Sequence, residues 1–187
     1  MPARRVYGEG SYAHYVTFSC YKRRKLLKPD TCTRIVLGCL AAQLRRQNAV
    51  CAGFCIMPDH VHAIIWFWEE HRISLFMNKW KDVSSLRIAA TYARDYPEYW
   101  SKLPHGDPVW QDRYYDFNIH SELKLGEKLE YMHNNPVKAG FVSDACAWPW
   151  SSARFWLQGK SVGVPIAWPG QRTLKKVDVS LPRQDGI

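Results

Sequence analysis

His60 and His62 stand one residue apart in the stretch Met57-Pro58-Asp59-His60-Val61-His62-Ala63-Ile64-Ile65-Trp66-Phe67. The Pro-Asp pair predicts a tight turn, and the β-branched and aromatic run after it predicts a strand from His60 to Trp68. Alternate side chains of a strand share a face, so both imidazoles point the same way, followed by Ile64 and Trp66. Two neutral imidazoles a side chain apart can ligate one divalent metal or hold one phosphate. A bare His-x-His is equally a pair of satisfied histidines at a sheet edge. Cys51 and Cys55, expected to share a face of the preceding strand, add zinc as a third option. Structural zinc sites usually space their histidines three to five residues apart, and this pair departs from that pattern.

A second candidate lies far along the chain. Leu125, Leu129 and Met132 have the spacing of a buried helical stripe. Ser121 is the expected cap, and the helix should run to about Asn134, stopped by Pro136. At about 100° per residue, Tyr131 falls roughly 130° from the centre of that stripe. Its neighbours there are Lys124, Glu127, Lys128 and Asn135. A phenol with lysines one and two turns away has what a nucleophile for a phosphodiester needs: cations to hold phosphate or favour phenolate. A tyrosine that packs its ring and wets its hydroxyl fits the same position. Asn135 can share the Tyr131 face and offer a neutral oxygen to a metal.

These residues need a frame. Residues 1–11 read as a basic arm, and Tyr12–Tyr21 as a first strand. Lys22-Arg23-Arg24-Lys25 forms a charged turn, either solvated or gripping a backbone. A helix capped by Thr31 runs to about Gln47; Ala49–Ile56 is a second strand, in a hairpin with the histidine strand. A helix from Ser74 ends by about Tyr96 at Pro97, residues 97–108 form a connecting loop, and Val109–Phe117 is a fourth strand. The order β-α-β-β-α-β, then a helix, predicts an α+β, ferredoxin-like split βαβ fold: an antiparallel sheet with helices on one face plus the C-terminal helix that carries Tyr131. Residues 1–157 would form one domain and 158–187 a tail.

With 47% apolar residues, nine Trp and ten Tyr, the chain can bury a substantial core. Net charge is +9, and residues 1–50 hold ten Lys or Arg against Glu9 and Asp30, a local +8. A basic excess at one end suggests a polyanion partner, most often nucleic acid. No run of 18 apolar residues predicts a membrane span, and the N-terminus lacks the apolar core of a signal peptide. A cytoplasmic protein with reduced cysteines is expected.

Four motifs give a resemblance. Pro58-Asp59-His60-Val61-His62, Trp110-Gln111-Asp112-Arg113-Tyr114-Tyr115, Tyr131-Met132-His133-Asn134-Asn135-Pro136-Val137-Lys138-Ala139-Gly140 and Trp148-Pro149-Trp150-Ser151-Ser152 resemble, in that order, the REP-associated tyrosine transposases. These are bacterial relatives of the small HUH-type insertion-sequence transposases. The resemblance spans roughly residues 7–157. It implies that His60 and His62 are the HUH metal ligands, that Asn135 completes the site and that Tyr131 is the nucleophile. It implies cleavage of single-stranded DNA beside a palindromic (REP-like) hairpin, leaving a 5′-phosphotyrosine and a free 3′-OH. Family members often carry a Gly-x-Trp-like motif that helps to read the DNA. Gly10-Ser11-Tyr12 is the nearest match here, and it keeps an aromatic ring able to stack on a base.

The expected cofactor is Mg²⁺ or Mn²⁺, with phosphate oxygens filling the open positions. The expected DNA contacts are Arg4, Arg5, Gly10, Ser11, Tyr12, Lys22, Arg23, Arg24, Lys25, Lys124 and Lys128. The protein would act as a monomer or homodimer on nucleoid DNA. The rival reading is a non-catalytic hairpin- or single-strand-binding module, because a ferredoxin-like sheet with exposed aromatics is also an RNA-binding architecture.

Overall fold

The computed structural model describes residues 13–168. Its centre is a four-stranded antiparallel sheet in the order β2-β3-β1-β4. The strands are β1 (Ala13–Ser19), β2 (Ala49–Met57), β3 (His60–Phe67) and β4 (Tyr115–Ile119). Helices α1 (Asp30–Arg46) and α2 (Ile73–Asp95) cover one face. Val16, Phe18, Val61, Ala63, Ile65 and Phe67 pack there with Val36, Leu40, Phe76 and Trp80. Further along the chain come α3 (Pro97–Ser101), α4 (Glu122–His133), α5 (Asn135–Lys138) and α6 (Ala153–Gln158). Helix α4 lies on the opposite face, where Leu125, Leu129 and Met132 meet Ala13, Tyr15, Ala52, Cys55, Met57 and Ile64. The split βαβ architecture is the one expected.

Several boundaries differ from expectation. Helix α1 begins at Asp30 with Pro29 in the cap position, so Thr31 lies in the first turn rather than capping it. Proline suits a helix entrance because the N–H it lacks would have no partner there. Pro97 ends α2 and also opens the short α3 inside the expected loop. The fourth strand starts at Tyr115 instead of Val109. Trp110 explains the shift: it makes a single bridge to Cys20, and its indole N–H donates to Ser84 on α2 at 3.0 Å. Gln111 N–H still donates to Ser19 O at 2.9 Å, and the chain then leaves β1 over residues 112–114 before pairing resumes at Thr17 opposite Tyr115. Pro136 sits in the first turn of α5, where proline is tolerated, so the chain continues helically just past α4.

The Trp148–Ser152 segment closes the open edge of β2. Ile56 N–H donates to Trp150 O at 2.8 Å, Ser152 N–H to Phe54 O at 2.9 Å, and the Trp148 indole to Ile56 O at 3.0 Å. An unpaired sheet edge invites intermolecular pairing, and this segment removes it. Beyond Gln158 the chain stays on the core as far as Ala167: Val162, Val164 and Ile166 are buried, and Ala167 N–H donates to Cys51 O at 3.0 Å.

Gly53 lets α4 approach β2. An added Cβ would stand 2.5 Å from both Leu129 Cδ2 and Met132 Cε. Gly53→Ala therefore forces two buried side-chain tips to move, and we expect a loss of about 1–3 kcal/mol. Urea denaturation of the variant measures it; unchanged stability would mean that α4 does not depend on this close approach.

Candidate active site

The β3 pleat puts His60 and His62 on the α4 side of the sheet, and their ring centroids are 4.8 Å apart. His62 is buried, with 4% of its surface exposed. Its ring stacks on Tyr15 at 5.7 Å. Its Nδ1 lies 2.7 Å from Thr17 Oγ1 and 2.9 Å from the Tyr15 hydroxyl. Burial pushes the Tyr15 phenol up to about 12, so it remains a neutral hydroxyl. His62 Nε2 is buried and has no hydrogen-bond partner among the described residues. A proton on Nε2 would be a stranded donor, whereas one on Nδ1 has two oxygens to receive it. The network therefore assigns the proton to Nδ1 and leaves a lone pair on Nε2. Burial, reinforced by the nearby charges of His60, Arg23 and Lys128, holds the His62 pKa down at about 3.

His60 Nδ1 lies 2.6 Å from Asp59 Oδ1. A carboxylate only accepts, so Nδ1 carries the proton here too. Burial lowers the His60 pKa, against an upward pull from Asp59. Both imidazoles are thus held neutral with Nε2 as the lone pair, which is the form a metal ligand needs.

On α4 the Ser121 hydroxyl accepts from Lys124 N–H at 3.2 Å, the cap expected. Tyr131 is 49% exposed. Its ring centroid is 5.9 Å from that of His62, edge to face. Two residues remote in sequence thereby share one surface. Asn135 turns its amide N–H₂ back to Tyr131 O at 3.2 Å, and its carbonyl oxygen has no donor among the described residues. Lys128 does not accompany Tyr131: its ammonium lies over the Tyr15 ring at 4.8 Å and the Phe117 ring at 4.7 Å. Lys124 is ion-paired with Glu127. The cation at the nucleophile candidate is Lys138, 5.4 Å from the Tyr131 ring centroid.

Three of the four cations in the charged turn are ion-paired, although Lys22 and Arg23 stay exposed. Arg24 meets Asp107 at 2.5 Å with Lys22 at 3.6 Å from the same oxygen, and Arg23 Nε lies 2.9 Å from Asp59 Oδ2. Lys25 is exposed. Arg4, Arg5, Gly10, Ser11 and Tyr12 lie outside the described residues. The zinc option is split by the sheet. A bulge between Cys51 and Gly53 sends Cys51 into the α1–α2 core and Cys55 into the α4 core, so the two do not share a face. Among the described residues no three His, Cys, Asp or Glu side chains converge as a metal cage. A metal at the histidine pair would rely on Asn135 or substrate for further oxygens.

Sequence reasoning passed over Tyr15, Thr17, Asp59, Lys138, His133 and Ser152. Tyr15 and Thr17 alternate on β1, which was legible, but their register opposite His62 was not. His133 is buried on α4, with Nε2 2.7 Å from Ser152 Oγ. Ser152 Oγ in turn accepts from Phe54 N–H at 2.9 Å, so this network pins the Tyr131 helix to β2. Burial depresses the His133 pKa from 6.5 to about 4. The unfolded chain takes up that proton near 6.5, the folded one only near 4, so acid favours unfolding in between. We expect stability to fall by about 2–3 kcal/mol, largely between these two values, as pH drops. His62 adds to the loss with the same sign. Thermal melts across this range, with His133→Gln flattening the slope, test the assignment; an unchanged slope would remove His133 from it.

A family model described as "Transposase IS200 like" matches residues 9–135. A putative REP-associated tyrosine transposase of Haemophilus influenzae is 28% identical over 123 residues, covering 66% of this chain and 68% of that one. The REP-associated tyrosine transposase of Escherichia coli K12 is 25% identical over 122 residues, covering 65% of this chain and 63% of the relative. Among solved structures, a REP-associated tyrosine transposase bound to a REP hairpin superimposes with a TM-score of 0.64 at 22% identity over 90% of each chain, which shows a shared fold. With the family model covering more than half of its length, this chain belongs to the IS200-like transposases.

Proposed function

We propose that the protein is a divalent-metal-dependent endonuclease and strand transferase acting on single-stranded DNA beside palindromic hairpins. One observation carries the reading: an exposed tyrosine on α4 meets a pair of neutral, lone-pair-bearing histidines on β3. The hairpin-bound structural neighbour and the basic charge support a DNA hairpin as substrate. No helix among the described residues is long and apolar enough to cross a membrane, in keeping with work on cytoplasmic DNA.

The residues fit a metal. His62 Nε2 is buried and unpartnered among the described residues, His60 offers a second nitrogen, and the Asn135 carbonyl oxygen is a neutral third donor. Bound there, Mg²⁺ or Mn²⁺ would polarise the scissile phosphate and offset its charge. Tyr131 Oη attacks phosphorus, forming the tyrosyl P–O bond. The bond to the 3′ oxygen breaks, and that oxygen takes a proton from solvent and leaves as a 3′-OH. The half-exposed phenol releases its proton to solvent. Lys138, over the Tyr131 ring, holds the nucleophile and places positive charge beside the new phosphodiester. The covalent link conserves the bond, so a 3′-OH can reverse the step and join strands.

The test uses a hairpin oligonucleotide with single-stranded flanks and either metal, resolved on a denaturing gel. A 3′-labelled substrate should migrate with protein, and a 5′-labelled one should release a shorter free strand. A hairpin bound tightly but never cut would leave the protein a binding module.

A further inference from the structure

Arg23 reads from sequence as a DNA contact, but its surroundings assign another task. We infer that Arg23 and Asp59 form a positioning relay that sets the His60 ring for metal. The inference rests on the histidine pair being a metal site.

The two oxygens of Asp59 are divided. Oδ1 accepts from His60 Nδ1 at 2.6 Å, and Oδ2 pairs with Arg23 Nε at 2.9 Å. The same guanidinium donates to Ser19 Oγ at 2.8 Å. Ser19 is the β1 residue opposite His60 in the sheet. Arg23 therefore bridges the strand beside the histidine and the carboxylate that holds it.

The backbones are tied in the same way. Cys20 N–H donates to Asp59 O at 2.8 Å, and Leu27 N–H donates to Pro58 O at 2.9 Å. Lys22 and Arg23 both adopt positive φ, 54° and 56°, a left-handed conformation that side chains disfavour. Two such residues in succession persist only where their surroundings over-determine them. Here the conformation brings the guanidinium onto Asp59 and Ser19. A carboxylate behind a metal-binding histidine fixes its tautomer and ring angle, and loss of such a partner typically weakens metal binding about 10–100-fold.

The experiment compares wild type, Asp59→Asn and Arg23→Gly. Glycine suits the left-handed backbone, so Arg23→Gly relieves strain while deleting the guanidinium. Mn²⁺ binding without DNA is read by the electron paramagnetic resonance signal of the free ion, and hairpin binding is measured in EDTA. The relay predicts Mn²⁺ affinity about 10-fold or more lower in both variants. It predicts a melting temperature for Arg23→Gly no lower than wild type, and hairpin affinity in EDTA within about twofold of wild type. Wild-type Mn²⁺ affinity in the variants overturns the relay and leaves the metal site standing. A large loss of hairpin binding in Arg23→Gly overturns it in favour of a phosphate contact. A wild type that binds no Mn²⁺ overturns the metal reading, and the relay with it.

Discussion

Tyr131→Phe should bind the hairpin like wild type and never cut it. The change removes one oxygen from a ring that is half exposed. The ring keeps its edge contact with His62 and its place under Lys138. Stability should therefore stay within about 0.5 kcal/mol of wild type, as for most surface substitutions. Loss of a nucleophile typically reduces turnover by roughly 10⁴-fold or more, because no other group forms the intermediate. The denaturing gel should show neither adduct nor cleaved strand, and hairpin affinity should change by less than about twofold. A persisting adduct would refute the assignment. The phenol to examine next would be Tyr115, 52% exposed and 6.4 Å from Tyr15 by ring centroid.

His62→Ala should be nearly as severe for cleavage while sparing most DNA binding. It deletes the buried lone pair and halves the histidine pair. A metal at a phosphoryl group contributes several kcal/mol, so losing it costs about 10³-fold or more in rate. The substitution also empties the space beside Tyr15 and leaves Tyr15 and Thr17 without Nδ1. That should destabilise the fold by about 1–3 kcal/mol. A melting curve checks that the variant is folded, and His62→Gln, which restores polar atoms beside the two hydroxyls, separates packing from chemistry. Both variants should bind hairpin in EDTA to within about threefold of wild type. A folded His62→Ala that cleaves at the wild-type rate would end the metal assignment.

Local periodicity gave much of this site in advance. A period of two put His60 and His62 on one face, and a helical period put Tyr131 off the Leu125–Leu129–Met132 stripe. Both follow from backbone geometry within a single element, so no tertiary information was needed. The order of elements gave the ferredoxin-like sheet because short connections leave few ways to arrange it. What failed was also physical. Trp110 has the composition of a strand residue and so predicts an early start for the fourth strand, yet its indole is held by Ser84 on α2. Unbroken alternation puts Cys51 and Cys55 on one face, and the isolated Gly53 between them is the sequence mark of the bulge that separates them. The ion pairs of the charged turn were not legible because its carboxylate partners, Asp59 and Asp107, lie far away in the chain.

The sequence alone determined which side chains share a face wherever a strand or helix runs unbroken, as for His60 and His62, since that depends only on residue spacing. The tertiary structure decided which faces meet. Strand register brought Thr17 and Tyr15 to His62 and thereby surrounded its Nδ1 with two hydroxyls. The close approach at Gly53, and the His133–Ser152 network, set α4 against β2 and Tyr131 beside the histidines. Contacts of this kind join residues many positions apart, and only closure of the whole core fixes them, because each depends on packing that no single segment contains.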